Sequence, residues 1–133
     1  LGDRPHLVGV GSSVTFMPLP RAEAYGASKA AMRYLMDTLR IDLRAENIAV
    51  TLVSPGFVDT PLTQKNDFAM PMRWPVDKAA RYIAERLAAQ PYEIAFPGPF
   101  IAILKLLGHL PMRLQVAIGA RLARTEAKTK DNP

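Results

Sequence analysis

The chain has 133 residues, 49% of them hydrophobic, enough for one small domain with a core of its own. Its formal net charge is +5, and the basic excess sits in the tail, where Lys105, Arg113, Arg121, Arg124, Lys128 and Lys130 outnumber Glu126 and Asp131; no nucleic-acid partner is expected. The absence of cysteine excludes disulfides and thiolate metal sites and fits a reducing compartment.

The chain opens on Leu1, without a leader-like segment, and no apolar run reaches the ~20 residues a membrane span needs. The expectation is a piece of a longer, cytoplasmic product. His6 to Gly11 is a short apolar run ending in Gly-Ser-Ser and reads as a buried parallel strand. Val14 to Glu23, with Pro18 and Pro20, reads as a loop. A helix is expected from about Ala22 to Ala45, with Met32, Leu35, Leu39 and Leu43 as its apolar stripe. Asn47 suits the helix end, because asparagine tolerates the left-handed conformation.

Ile48 to Val53 reads as a second buried strand ended by Pro55-Gly56. Residues 57 to 75 look irregular, with prolines at 61, 71 and 75. A second helix is expected from Val76 to Ala89, turning Ala79, Ala80, Ile83 and Leu87 inward. Tyr92 to Phe96 reads as a third strand, stopped by Pro97-Gly98-Pro99. The order β-α-β-α-β argues for an α/β fold with a parallel sheet and right-handed crossovers.

The chemistry concentrates early. Tyr25 and Lys29 are four residues apart, which puts them on one helical face about 6 Å apart at Cβ. A cation beside a phenol favours the phenolate and makes an acid/base suited to near-neutral pH. Ser12 stands thirteen residues before Tyr25, and its hydroxyl can share a carbonyl or alcohol oxygen with the phenol. That is hydride-transfer chemistry, given a separate source of hydride. Singly, each feature is ordinary. A tyrosine and lysine at this spacing are usually a half-buried ring and a solvated amine, Gly-Ser-Ser is usually a strand exit, and Pro-Gly is usually a turn.

Together, Gly11-Ser12-Ser13, Pro20, Ala24-Tyr25-Gly26-Ala27-Ser28-Lys29-Ala30-Ala31 and Val53-Ser54-Pro55-Gly56-Phe57-Val58-Asp59-Thr60-Pro61 resemble the active-site half of the short-chain dehydrogenase/reductase family, over about residues 7 to 96. The resemblance implies the C-terminal part of a doubly wound, Rossmann-like sheet in residues 1–96 and a basic, amphipathic helical extension in 97–133. It implies NAD or NADP as cofactor and a small carbonyl or alcohol substrate. Tyr25 becomes the general acid/base, and Lys29 supports it and holds the nicotinamide ribose. Ser12 holds the substrate oxygen, with Ser13 the weaker candidate. Pro55, Gly56, Val58 and Thr60 become the nicotinamide-binding strand exit. The family's first four strands and its Gly-rich cofactor turn have no counterpart here. Gly9-Val10-Gly11 is no substitute, because position 14 is valine and a loop follows. The first strand should therefore show a bare edge, and the chain alone is expected to be inactive.

Leu62 to Trp74, with Phe68, Met70, Met72 and Trp74, matches the family's substrate loop; it can cover an apolar substrate or simply pack on the domain. In the tail, residues 99–124 should form two helical pieces broken near Gly108 to Pro111. Their apolar residues must bury against the substrate site, a subunit interface of a homo-oligomer, or an anionic membrane surface contacted peripherally. His109 reads as a helix-end histidine, and no metal is expected. Two rivals stand beside the enzyme. Gly26-Ala27-Ser28-Lys29-Ala30 imitates a hydrolase nucleophile elbow, but no strand precedes it. A non-enzymatic protein keeping the fold, or an inert truncated product, is the other.

Overall fold

The strand-forming run Ala49–Pro55 (β2) sits at the centre of a three-stranded parallel sheet. The computed structural model describes residues 4–61 and 72–130. His6–Val10 (β1) pairs with β2 from His6↔Ala49 to Val10↔Val53. Glu93–Phe96 (β5) pairs on the other side from Leu52↔Glu93 to Pro55↔Phe96. Every residue from Ala49 to Ser54 is buried, as a β-branched, apolar run covered on both faces should be. β1 is the strand expected, but it is not buried. Leu7, Val8 and Val10 are exposed, because its outer edge has no partner strand among the described residues. Val58–Asp59 (β3) and Trp74–Pro75 (β4) form a separate parallel bridge inside the stretch read as irregular.

The first long helix is Glu23–Asp42 (α1), rich in alanine, with Glu23 at its positive end and Arg40 in its last turn. It lays Met36 on Val50 and Leu52, flanked by Met32 and Leu43. Leu35, expected in that stripe, points outward. Met36 takes its place, because it lies four residues from Met32 on the same face. The helix stops earlier than expected, and Asn47 closes the turns that follow it at φ 55°. Val76–Leu87 (α2) covers the opposite sheet face, packing Ala79, Tyr82, Ile83 and Leu87 on Val53, Ile94 and Phe96. Ala80 is exposed and Tyr82 replaces it, again from helical spacing. Trp74 stacks on Phe96 at 4.9 Å between centroids and meets Tyr82 edge-on at 5.1 Å. Trp74 thus packs on the domain; residues 62–71 of that loop lie outside the described residues.

The tail divides as its glycine and proline dictate, into Gly98–Gly108 (α3) and Met112–Lys130 (α4). Pro99 occupies the first turn of α3, where a missing N–H costs nothing. Phe100, Ile101 and Leu104 are buried; Phe100 and Leu104 pack with Met17, Phe16 and Phe57. Buried Gln115 donates to the carbonyls of Gly108 at 2.9 Å and Leu110 at 2.7 Å, satisfying acceptors that the end of α3 leaves open. His109 caps α3 and is exposed. Among the described residues no helix is long and apolar enough to cross a membrane.

Candidate active site

β1 and β2 run parallel and in register, so the residues at and just past their carboxyl ends, Gly11-Ser12 and Pro55-Gly56, emerge side by side. That end of an open α/β sheet is where ligands bind. The ladder continues one step through Gly11 N–H to the Val53 carbonyl at 2.7 Å. The chain then folds into a 3-10 turn, Ser13–Phe16, inside the stretch expected to be plain loop. Ser12 is its N-cap. The Val14 N–H donates to Ser12 Oγ at 3.2 Å, which occupies a lone pair and leaves the hydroxyl proton free to be given away. Ser12 and Ser13 are both buried.

Tyr25 lies in the first turn of α1, against this turn. A Cβ on Gly26 would stand 3.8 Å from Val14 Cγ2. Tyr25 is 54% exposed. Lys29 follows one helical turn later, its Nζ 5.6 Å from the Tyr25 ring centroid. The Tyr25 hydroxyl and the Lys29 ammonium form no hydrogen bond or ion pair among the described residues. Ser28 Oγ donates to the Tyr25 carbonyl at 2.7 Å in the middle of α1. Its hydroxyl is therefore engaged within the helix, and no strand leads into it, so the nucleophile-elbow reading does not fit.

Pro55 closes β2, and Gly56 N–H donates to the Phe96 carbonyl at 2.8 Å. Glycine is required at 56, because a Cβ would meet that carbonyl oxygen at 2.9 Å and Phe100 Cδ1 at 3.1 Å. Val58 lies in β3 and Thr60 just after it, both half-buried. The fold thus brings Ser12, Tyr25 and Lys29 to one end of the sheet, with the Pro55 to Thr60 exit on the adjoining strand. Among the described residues the hydroxyls of Ser12 and Tyr25 and the Lys29 ammonium donate to no protein acceptor, which suits the oxygen-rich nicotinamide–ribose end of a dinucleotide. No Gly-rich strand-to-helix turn that would hold its pyrophosphate occurs among the described residues. No cluster of metal-ligating side chains occurs there either.

One residue of this region escapes sequence reasoning. Arg33, one further turn along the face of Tyr25 and Lys29, forms an ion pair with Glu93 at 2.6 Å and donates to Thr15 and Ser54. Its spacing on the helix was the available signal; its partners come from three other segments and leave no local pattern.

These elements define a nucleotide-binding oxidoreductase fold, and comparison with known proteins places it. A family model for short chain dehydrogenase matches residues 2–70, over half of the chain. The chain belongs to the short-chain dehydrogenase family. It is 36% identical over 119 residues to an uncharacterized oxidoreductase of Myxococcus xanthus, covering 90% of this chain and 47% of that protein. It is 44% identical over 61 residues to 11-beta-hydroxysteroid dehydrogenase A of Sesamum indicum, covering 46% of this chain and 17% of that one. The chain thus spans less than half the length of these relatives. A short chain dehydrogenase from Burkholderia cenocepacia in complex with NADP superposes with a TM-score of 0.70 over 90% of this chain and 49% of that one, at 22% identity. A short-chain dehydrogenase from Sphingobium yanoikuyae in complex with NADPH gives 0.62 over 90% and 44%, at 23% identity.

Proposed function

We propose that this chain carries the proton-handling half of an NAD(P)-dependent oxidoreductase that interconverts a carbonyl and an alcohol. The observation that carries the reading is the donor set at the strand ends. Among the described residues Ser12 Oγ accepts one hydrogen bond and donates none, and the Tyr25 hydroxyl and the Lys29 ammonium, which lies beside the Tyr25 ring, have no hydrogen-bond partner. When bound, the nicotinamide supplies or accepts the hydride. Tyr25 gives a proton to the carbonyl oxygen in reduction and removes one from the alcohol in oxidation. Ser12 donates to the same oxygen as charge develops on it. Lys29 steadies the charge left on the phenol oxygen and binds the ribose hydroxyls. Pro55, Gly56, Val58 and Thr60 hold the nicotinamide end, with Thr60 on its carboxamide. Phe16 and Phe57, half-buried beside the site, favour an apolar substrate.

The test is oxidation of NADH or NADPH against a panel of ketones and aldehydes, using the protein expressed from its full reading frame. Turnover that Tyr25→Phe abolishes supports the reading. No turnover in either direction with either cofactor favours a binding or scaffold protein that keeps the fold. Residues 1–133 made alone should bind neither cofactor at micromolar affinity, because the phosphate-binding turn is not among them. They should self-associate through the open β1 edge.

Two surface features favour partners of the whole protein. Tyr34, Leu35 and Ile41 are exposed on α1 and suit a homo-oligomer interface. On the tail, Met112 and Val116 are exposed beside Arg113 and Arg124, an arrangement suited to peripheral contact with an anionic bilayer. Co-sedimentation with anionic vesicles, with and without residues 99–133, tests the second; equal partitioning of both forms rejects it.

A further inference from the structure

We propose that Arg33 is a positioning residue for the reacting groups, holding the Ser12 turn in place against the helix that carries Tyr25 and Lys29. The inference rests on the oxidoreductase reading above. Arg33 follows Lys29 by four residues and Tyr25 by eight, so it lies on their face of α1, about 6 and 12 Å further along the axis. Each nitrogen of its guanidinium has a partner. Nη1 pairs with Glu93 on β5 at 2.6 Å, and Nη2 donates to Ser54 on β2 at 3.1 Å. Nε donates to Thr15 Oγ1 at 3.0 Å, and Cζ lies 4.7 Å from the centroid of the Phe16 ring.

Thr15 passes this hold onward. Its hydroxyl accepts from Arg33 Nε and donates to the Ser12 carbonyl at 3.1 Å, as a group with one proton and two lone pairs can. Two hydrogen bonds therefore connect the helix of Tyr25 to the backbone of Ser12. The fork of Arg33 is itself fixed to two neighbouring strands, so the sheet is the reference for both groups. Only a planar fork with several donors at fixed angles can serve all these partners; a lysine amine cannot. The face of α1 thus has a division of labour: Tyr25 and Lys29 face ligand, and Arg33 sets the distance from them to Ser12.

The experiment uses the protein from its full reading frame, with a reduced nicotinamide cofactor and an accepted carbonyl substrate. Thr15→Val keeps the side-chain shape and removes the relay. It should lower kcat about tenfold, with the cofactor KM unchanged, because small misplacements of reacting groups act on turnover. Thr15→Ser, which keeps the hydroxyl, should restore kcat. Arg33→Lys should fall at least as far as Thr15→Val, because it also loosens the anchors to Glu93 and Ser54, and the double variant should fall no further than Arg33→Lys alone, since Thr15 acts through Arg33. In the absence of cofactor, amide exchange of residues 11–17 should rise in Thr15→Val while that of α2 is unchanged. Normal kcat in Thr15→Val, in an enzyme that Tyr25→Phe inactivates, overturns the proposal. So do additive losses in the double variant. If Tyr25→Phe remains active, the oxidoreductase assignment of Tyr25 fails instead, and unchanged exchange at 11–17 then rejects the positioning role separately.

Discussion

Gly108→Ala adds one methyl group at the last residue of α3, far in sequence from Ser12, and it should impair both folding and turnover. No described glycine sits at positive φ, so glycine is not needed at 108 for its backbone freedom. It is needed for space: a Cβ there would stand 2.0 Å from the Phe16 carbonyl oxygen and 3.2 Å from its carbon. A carbon resting against a carbonyl oxygen keeps about 3.3–3.6 Å, so helix and turn must part by more than ~1 Å. The helix cannot easily yield, because Phe100, Ile101 and Leu104 are buried and Gln115 ties its end. The 3-10 turn must give instead, and it begins at Ser12. Overpacking of this kind costs about 1–3 kcal/mol. The better helix propensity of alanine returns at most about 1 kcal/mol, and a 2.0 Å approach puts the overpacking at the upper end of its range, so the net loss should be about 2 kcal/mol. A shift near ~1 Å at Ser12 should lower kcat by up to about a hundredfold. Gly119→Ala is the control. Nothing lies within 4 Å of its Cβ, so it should stabilise α4, by about 0.5–1 kcal/mol. Urea unfolding and steady-state kinetics on both variants decide it. A Gly108→Ala protein as stable and as active as the wild type would refute the packing argument.

Tyr25→Phe should leave stability within about 0.5 kcal/mol while removing about a hundredfold or more of turnover; the half-exposed ring loses only a hydroxyl with no protein partner among the described residues, and equal activity would reject Tyr25 as the acid/base. Phe96→Ala should cost about 3–5 kcal/mol in urea unfolding, because the ring is 1% exposed and contacts Trp74 and Tyr82; a loss below about 1 kcal/mol would show that this layer is not packed as described. Asn47→Val should cost about 1–2 kcal/mol and Asn47→Gly nothing, since φ is 55° there; equal stability of the two would count against a left-handed Asn47.

The elements were legible because their periods are strong. Val50, Leu52 and Ile94 sit on strands flanked by turn residues, and the tail breaks where Gly108 and Pro111 disfavour a helix. Helical faces were read to within two residues; choosing between Leu35 and Met36, or Ala80 and Tyr82, depends on how the helix is rotated on the sheet. The 3-10 turn after Ser12 was not legible, because it is held by the Ser12 cap and by Arg33 rather than by any local period. Spacing put Tyr25 and Lys29 on one helical face, and the turn residues after the first apolar run put Ser12 at a strand exit. Their support was hidden, since Arg33 finds Thr15, Ser54 and Glu93 across 18, 21 and 60 residues of chain.

The only tryptophan of the sequence, Trp74, stacks on Phe96 with the Lys78 ammonium 4.2 Å from its ring centroid. The sheet is therefore optically one-sided. Indole emission reports the α2 layer and its melting, while the α1 layer, packed through Met36, Val50 and Leu52, has no chromophore in its core. A substitution that loosens α1 against the sheet can leave the emission spectrum unchanged, and a normal fluorescence trace certifies only one of the two faces. A second tryptophan in place of Met32, at the border of the α1 cluster, would give that face a signal of its own.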